Sequence, residues 1–262
     1  MITSAQNEKV KLVRELLSSK KSRHEKNLFI AEGIRMAAEA LAAGSHPALT
    51  LFSQQANRDG QRIIENLRAS SESIEEVSSD LLERISDTRH SQGILLVLPI
   101  PRQSSPQPAD FALALDRIRD PGNMGTILRS AAAFGFETVL LTPGCADPFS
   151  PKVVRAGMGA HFKVQIIEMT AERIATFCKG SNRPHLQILL ADAEEGQVCW
   201  EHDLTHPLCL IIGGEAEGAS PELRAIADGV VTIPMQPQTE SFNAAMSASI
   251  LMYEVRRQRN TK

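Results

Sequence analysis

The stretch FALALDRIRDPGNMGTILRSAAAFG, residues 111–135, decides how the rest of the chain is read. Its apolar opening, Phe111–Ile118, reads as a strand, and Pro121 with Gly122 forces a turn. Asn123 and Gly125 then stand at the mouth of a helix, with Arg129 in its early turns beside Ile127, Leu128 and Ala131. Downstream the same unit recurs: a short apolar run, a polar or glycine-containing loop, and a helical stretch. Further strands are expected at Thr138–Thr142, Lys163–Ile167, Gln187–Ala191, Leu208–Gly213 and Val230–Met235. This alternation calls for an α/β fold with a mainly parallel sheet covered on both faces, in which ligands sit beyond the carboxyl ends of the strands.

Upstream of this region, PIPRQSSPQP (99–108) interrupts both helical and strand periodicity, and the linker is set at 99–109. It divides a first domain, 1–98, from a second, 110–262. In the first, Val10, Val13, Leu16 and Leu17 at helical spacing predict a helix over Ser4–Leu17 with Ser4 as its cap. Helices are also expected at Gly33–Gly44, Asp59–Ala69 and Ser79–Ile85, and strands at Leu49–Ser53 and Gly93–Leu98.

Only 4% of the residues are aromatic against 42% hydrophobic, so the interior must be filled by Leu, Ile, Val and Ala, which suits helices on a parallel sheet. Cys145, Cys178, Cys199 and Cys209 lack CxxC spacing, which argues against a zinc site or a disulfide framework and for reduced thiols in the cytoplasm. No His pair has the spacing of a metal site, and His161 and His206 read as core or loop residues. No apolar run approaches the ~18 residues of a membrane span, and the polar Met1–Lys11 is no signal core. The net charge of −3 does not advertise nucleic-acid binding, but Lys9, Lys11, Arg14, Lys20, Lys21, Arg23, Lys26 and Arg35 face only Glu15, Glu25 and Glu32 in one segment. That excess reads either as a phosphate-binding surface or as a solvated helix face.

Three strand-end loops carry the chemistry. In the first, Arg129 either pairs with a carboxylate of its own fold or reaches into the crevice to hold a phosphate or ribose oxygen. The second, GGEAEGAS (213–220), is a tight turn or a ligand loop; Glu215 and Glu217 would repel a phosphate and suit a cationic, adenosine-like ligand such as S-adenosylmethionine. In the third, Ser241 is placed to cap the long helix that carries Ala245, Ala248 and Leu251, a role that leaves Asn243 unexplained.

Read together, DPGNMGTILRSAAAFG (120–135), IIGGEAEG (211–218) and IPMQPQTESFNAAMSASILMYE (233–254) resemble the signature motifs of the SpoU/TrmH family of RNA 2′-O-ribose methyltransferases. SPKVVRAGMGAHFKV (150–164) looks like the segment the family places between its first two motifs. KNLFIAEGIRMAAEAL (26–41) and SQGILLVL (91–98) are similar to the family's appended RNA-binding domain, which is akin to a ribosomal protein. The resemblance implies a sheet whose C-terminal part is tied in a trefoil knot, S-adenosyl-L-methionine held bent at the knot, and a homodimer that completes the site. It places the catalytic set at Asn123, Arg129, Glu215, Ser241 and Asn243 and the cofactor contacts at Gly213, Ile233 and Phe242, where most members have Leu at the last position. It also turns Lys9, Lys20, Lys21, Arg23, Lys26 and Arg35 into an expected RNA surface.

The expected reaction is transfer of a methyl group to a ribose 2′-hydroxyl. Because a guanidinium is effectively never deprotonated, Arg129 is read as an electrostatic stabiliser of the developing alkoxide, with Glu215 and the amides as orienting groups. Ribosomal RNA is favoured over transfer RNA as the substrate. Two rivals stand beside this reading: a non-catalytic RNA-binding protein of the same fold, and a nucleotide-binding enzyme, which the absence of a P-loop Lys disfavours.

Overall fold

A computed structural model describes residues 1–88, 91–101, 109–180, 185–215, 217–236 and 241–260. The chain runs α1 (Glu8–Ser18), α2 (Lys20–Lys26), β1 (Leu28–Glu32), α3 (Ile34–Ala42), β2 (Leu49–Phe52), α4 (Arg58–Ser70), β3 (Ile74–Glu76), α5 (Ser79–Ile85) and β4 (Ile94–Pro99). It continues with β5 (Phe111–Leu115), α6 (Pro121–Phe134), β6 (Thr138–Leu141), α7 (Pro151–Gly157), a 3-10 turn (Ala160–Phe162), β7 (Gln165–Glu168) and α8 (Ala171–Lys179). The last elements are β8 (Gln187–Ala191), β9 (Gln197–Val198), β10 (Leu208–Ile212), α9 (Pro221–Ile226), β11 (Gly229–Thr232) and α10 (Ala244–Asn260). Two compact units result: Met1–Arg102 with Asp147–Phe162, and Gln103–Ala146 with Lys163–Lys262. Most of the expected linker, 102–108, lies outside the described residues.

In the first unit the sheet order is β1-β4-β2-β3, with β4 antiparallel to both neighbours and β3 parallel to β2. Val10, Val13 and Leu16 of α1 form one fully buried stripe, and with Leu81, Leu82 and Ile85 of α5 they cover Ile30, Leu51, Leu95 and Val97. The cap of α1 is Asn7, whose side chain accepts from Lys9 N at 2.9 Å, and not the expected Ser4, which sits one turn too early. Periodicity could not announce α2: KKSRHEK has no apolar stripe, and the side chain it buries deepest is Arg23, 5% exposed.

Arg23 corrects the expected RNA surface. Its Nε and Nη2 hold Asp147 at 2.8 and 2.7 Å, and Nη1 donates to the Leu16 and Leu17 carbonyls at the end of α1. A guanidinium so enclosed is out of reach of a phosphate. Beside it His161, stacked near Phe29 and Phe149, bonds the Pro148 carbonyl through Nε2 at 2.6 Å, and its Nδ1 is buried without a partner among the described residues. Burial pushes the imidazole pKa down to about 4.

The second unit holds seven parallel strands in the order β7-β6-β5-β10-β8-β11-β9. Every residue of β6 and β10 is buried, the mark of strands covered on both faces. Ala112, Ala114, Cys209 and Ile211 pack on Ile174, Phe177 and Leu223 of α8 and α9. The alternate residues face the other way, where α6 and α10 lie together. Contacts of Asn123 with Asn243, Ser130 with Ser249 and Phe134 with Tyr253 show these two helices running in the same direction. β5 stops at Leu115, three residues before the expected Ile118, because Arg117 takes the left-handed conformation at φ 52° and turns the chain out of the sheet.

Candidate active site

The site is assembled where β5, β8 and β10 end. Asp116, buried at the tip of β5, accepts from Thr142 Oγ1 and from Ser220 N, both at 2.6 Å, and so ties two strand-end loops together. Asp120 then caps α6 through Asn123 N at 2.8 Å, with Pro121 in the first turn, and this fixes Asn123 at the helix mouth. Between β10 and α9 the glycine loop closes on itself: Gly214 and Gly218 exchange backbone hydrogen bonds of 3.1 and 2.9 Å, and a methyl at Gly213 would overlap the backbone of Gly218 and Ala219. The tight-turn reading is therefore correct, and the turn also presents Glu215.

Glu215 is the centre of a three-residue constellation. Its Oε1 accepts from the side-chain amides of Asn123 and Asn243, the latter at 2.9 Å, and Asn243 also donates to Asn123 Oδ1 at 3.0 Å. Asn243 in addition caps α10, its Oδ1 accepting from Ala245 N at 2.9 Å and Met246 N at 3.3 Å. The cap expected of Ser241 thus belongs to Asn243, and one amide does two jobs: its oxygen terminates the helix while its nitrogen orients the carboxylate.

Against this constellation lies a cleft of about 520 Å³. Gly213, Ile233 and Phe242, the three expected cofactor contacts, line it, together with Ser241 and Glu215. Among the described residues its charged lining is Asp192, Glu194, Glu195, Glu215 and Glu217 against Arg224, which is already paired with Asp192. Two backbone N–H groups and the Arg224 guanidinium hold the Asp192 carboxyl below its usual range despite its partial burial. An acidic cleft of this size, floored by glycine backbone, fits a ligand that combines an adenosine with a sulfonium and an ammonium group, and it disfavours a phosphate. Sequence reading missed Asp192 and Arg224; the loop after β8 follows a correctly placed strand, so the rule that strand ends bind ligands was the available signal.

Arg129 is not brought into this cleft. It lies on the exposed side of α6 and makes no ion pair among the described residues. On α10, which packs beside α6, Met246 and Tyr253 are 55% and 54% exposed. In the first unit, Lys9 is bound to Glu75 and Ser73, Lys21 and Lys26 lie 3.7 and 3.6 Å from Glu25 and Glu15, and Lys20 and Arg35 are exposed.

Residues 110–253 match the model of the SpoU rRNA methylase family, and residues 7–96 match that of the MRM3-like substrate-binding domain. The chain is 33% identical to an uncharacterized tRNA/rRNA methyltransferase of Synechocystis sp., over 98% of this chain and 93% of that one. It is 29% identical to the 23S rRNA (guanosine-2′-O)-methyltransferase RlmP of Bacillus subtilis, over 97% and 98% of the two chains. Among solved structures, the SpoU methyltransferase AviRb of Streptomyces viridochromogenes, in complex with AdoMet, superposes with a TM-score of 0.87 at 25% identity, covering 98% of this chain and all of that one.

Proposed function

This chain belongs to the SpoU rRNA methylase family, and we propose that it transfers the methyl group of S-adenosylmethionine to a ribose 2′-hydroxyl of ribosomal RNA. The observation that carries the proposal is the Glu215–Asn123–Asn243 constellation bordering an acidic cleft floored by Gly213. When bound, S-adenosylmethionine supplies an electrophilic methyl whose leaving group is a neutral thioether, so no acid is required. What the protein must do is hold the hydroxyl in line and favour loss of its proton. Asn123 and Asn243 fix the direction of Glu215, which then orients the acceptor or the cofactor's ammonium group. Ser241 and Phe242, at the cleft's edge before α10, bracket the donor.

The position of Arg129 supports a homodimer that completes the site. Arg129 is exposed on α6, and α10, packed beside α6, exposes Met246 and Tyr253; a second copy covering this helix pair would bury the apolar side chains and receive the cation. There Arg129 would stabilise the acceptor oxygen as it gains negative charge. The knot belongs to the same proposal: residues of three separated segments, 191–195, 212–215 with 217–218, and 233–235 with 241–251, line one cleft. Action in the cytoplasm is part of it too, in keeping with four cysteines present as free thiols.

Calorimetry with S-adenosylmethionine and ATP, followed by transfer of labelled methyl to ribosomal or transfer RNA transcripts, tests the reading. Binding of the sulfonium ligand alone and alkali-resistant label in ribosomal RNA are expected. ATP binding, label on a base, or RNA retention with no cofactor affinity would overturn it.

A further inference from the structure

The glycine loop lines two spaces at once: Gly214, Glu215, Glu217 and Gly218 border both the cleft and a second cavity of about 140 Å³. Where this loop stands decides where Glu215 meets the cleft, and two adjacent residues after β5 hold it at three places. Asp116 N donates to the Ile212 carbonyl at 2.9 Å, at the loop's entrance, and Asp116 Oδ2 accepts from Ser220 N at 2.6 Å, at its exit. Between these, Arg117 Nη1 donates to Glu217 Oε2 at 2.5 Å, and a methyl added at Gly214 would stand 3.1 Å from the Arg117 carbonyl oxygen. Asp116 is 2% exposed, and its second oxygen, Oδ1, accepts from Thr142 Oγ1 at 2.6 Å, in the loop after β6. Arg117 takes left-handed backbone at φ 52°, a strained conformation for a non-glycine residue that persists only where its surroundings impose it.

We infer that Asp116 and Arg117 are positioning residues: they clamp the glycine loop and so set the placement of Glu215 for methyl transfer. The inference rests on the methyl-transfer reading and adds to it two residues outside the Glu215–Asn123–Asn243 constellation. Residue type carries the argument. A carboxylate accepts at both oxygens, and here one serves the loop after β6 and the other the glycine loop, whereas an amide has one acceptor for the two. The charge that comes with the second acceptor is buried at a cost, since its nearest cation, Arg117 Nε, stands 3.6 Å away and has no hydrogen-bond partner among the described residues. A carboxylate so placed is a poor device for stability alone, and what it secures is the register of two strand-end loops. Arg117 works alongside it: the left-handed turn takes the residue out of the sheet, and its guanidinium ends on Glu217. Glu215 is then held twice, by Asn123 and Asn243 at its carboxylate and by residues 116 and 117 through the loop that carries it. Misplacing such a group by about 1 Å can cost about 10²-fold in rate.

The test measures kcat, KM for RNA and Tm of the full chain with labelled S-adenosylmethionine and an unmodified large-subunit ribosomal RNA transcript. Asp116→Ala is expected to lower kcat on the order of 10²-fold with KM for RNA held. Asp116→Asn, which keeps an acceptor for Ser220 N, should recover most of that loss. Thr142→Val removes the hydroxyl on the β6 side and leaves the glycine loop clamped, so Tm should fall while kcat stays. Arg117→Asn installs a residue that tolerates left-handed backbone and loses the Glu217 contact, so kcat should fall by about threefold to fivefold at unchanged Tm. An active wild type beside an Asp116→Ala enzyme of near-normal kcat overturns the clamp alone, as does a loss that Asp116→Asn does not recover or that Thr142→Val shares. Should Asp116→Ala not fold, Arg117→Asn decides, and an unchanged kcat there overturns the clamp. A wild type that methylates no ribose overturns the function and the clamp with it.

Discussion

Arg23 and Arg129 are both arginines in helices, and the two regions that hold them have opposite designs. Around Arg23 every valence is directed inward: Asp147 and two helix-end carbonyls enclose the guanidinium, and the residue is 5% exposed. Arg129 is exposed on α6 and makes no ion pair among the described residues, while α10, packed beside α6, exposes Met246 and Tyr253. A buried cation with its hydrogen bonds made holds a fold, whereas an exposed, solvated one stays accessible to a partner.

The largest expected effect lies on the closed side. Arg23→Ala leaves Asp147 buried without its counter-ion and should cost about 3–5 kcal/mol, lowering Tm in calorimetry while leaving the salt dependence of RNA binding untouched. A variant of wild-type stability with weakened RNA affinity would reverse the comparison. Next is Arg129→Ala, which should reduce turnover by about 10²–10³-fold at unchanged Tm and unchanged S-adenosylmethionine affinity. Near-normal methylation by the purified variant would remove Arg129 from the site.

His161 sharpens the closed side through pH. Its pKa falls from 6.5 to about 4 on folding, so the unfolded chain takes up the proton more readily than the folded one. The stability it contributes is complete above pH 6.5 and is lost as pH falls towards 4, by about 3 kcal/mol in all at 1.36 kcal/mol per unit. Urea unfolding across that window should show the decline, and His161→Phe should flatten it; identical slopes would mean the imidazole does not sense the core. The smallest effect is expected at Lys21, whose pair with Glu25 at 3.7 Å is exposed on both sides. Lys21→Gln should change stability by less than about 0.5 kcal/mol and, if this face meets phosphate, reduce the salt slope by about 1. A large drop in Tm there would erase the contrast with Arg23.

Legibility in the sequence follows the same division. β8 was legible to the residue and β6 nearly so, since a buried parallel strand announces itself as an apolar run between turn residues. α2 was not, because its one deeply buried large side chain is charged, and α1 was capped by Asn7 where Ser4 offered the same chemistry three residues earlier. In the site, the motifs located Asn123, Glu215 and Asn243, but not that a single Asn243 amide both caps α10 and grips Glu215. Asp192 and Arg224 carried no local pattern; they meet because β8, which Asp192 follows, pairs with β10, whose loop leads into α9.

What the amino-acid order determined by itself was the alternation of strands and helices, the three loops at strand ends and the residue types they carry, because apolar period and turn chemistry are local properties of the chain. Only the tertiary structure decided which charges are neutralised, that Arg23 is buried while Arg129 is left open, and that one glycine loop separates two cavities. Those outcomes depend on contacts between residues a hundred or more positions apart, such as Arg23 with Asp147 and Arg117 with Glu217, and no local rule of sequence encodes a long-range partner.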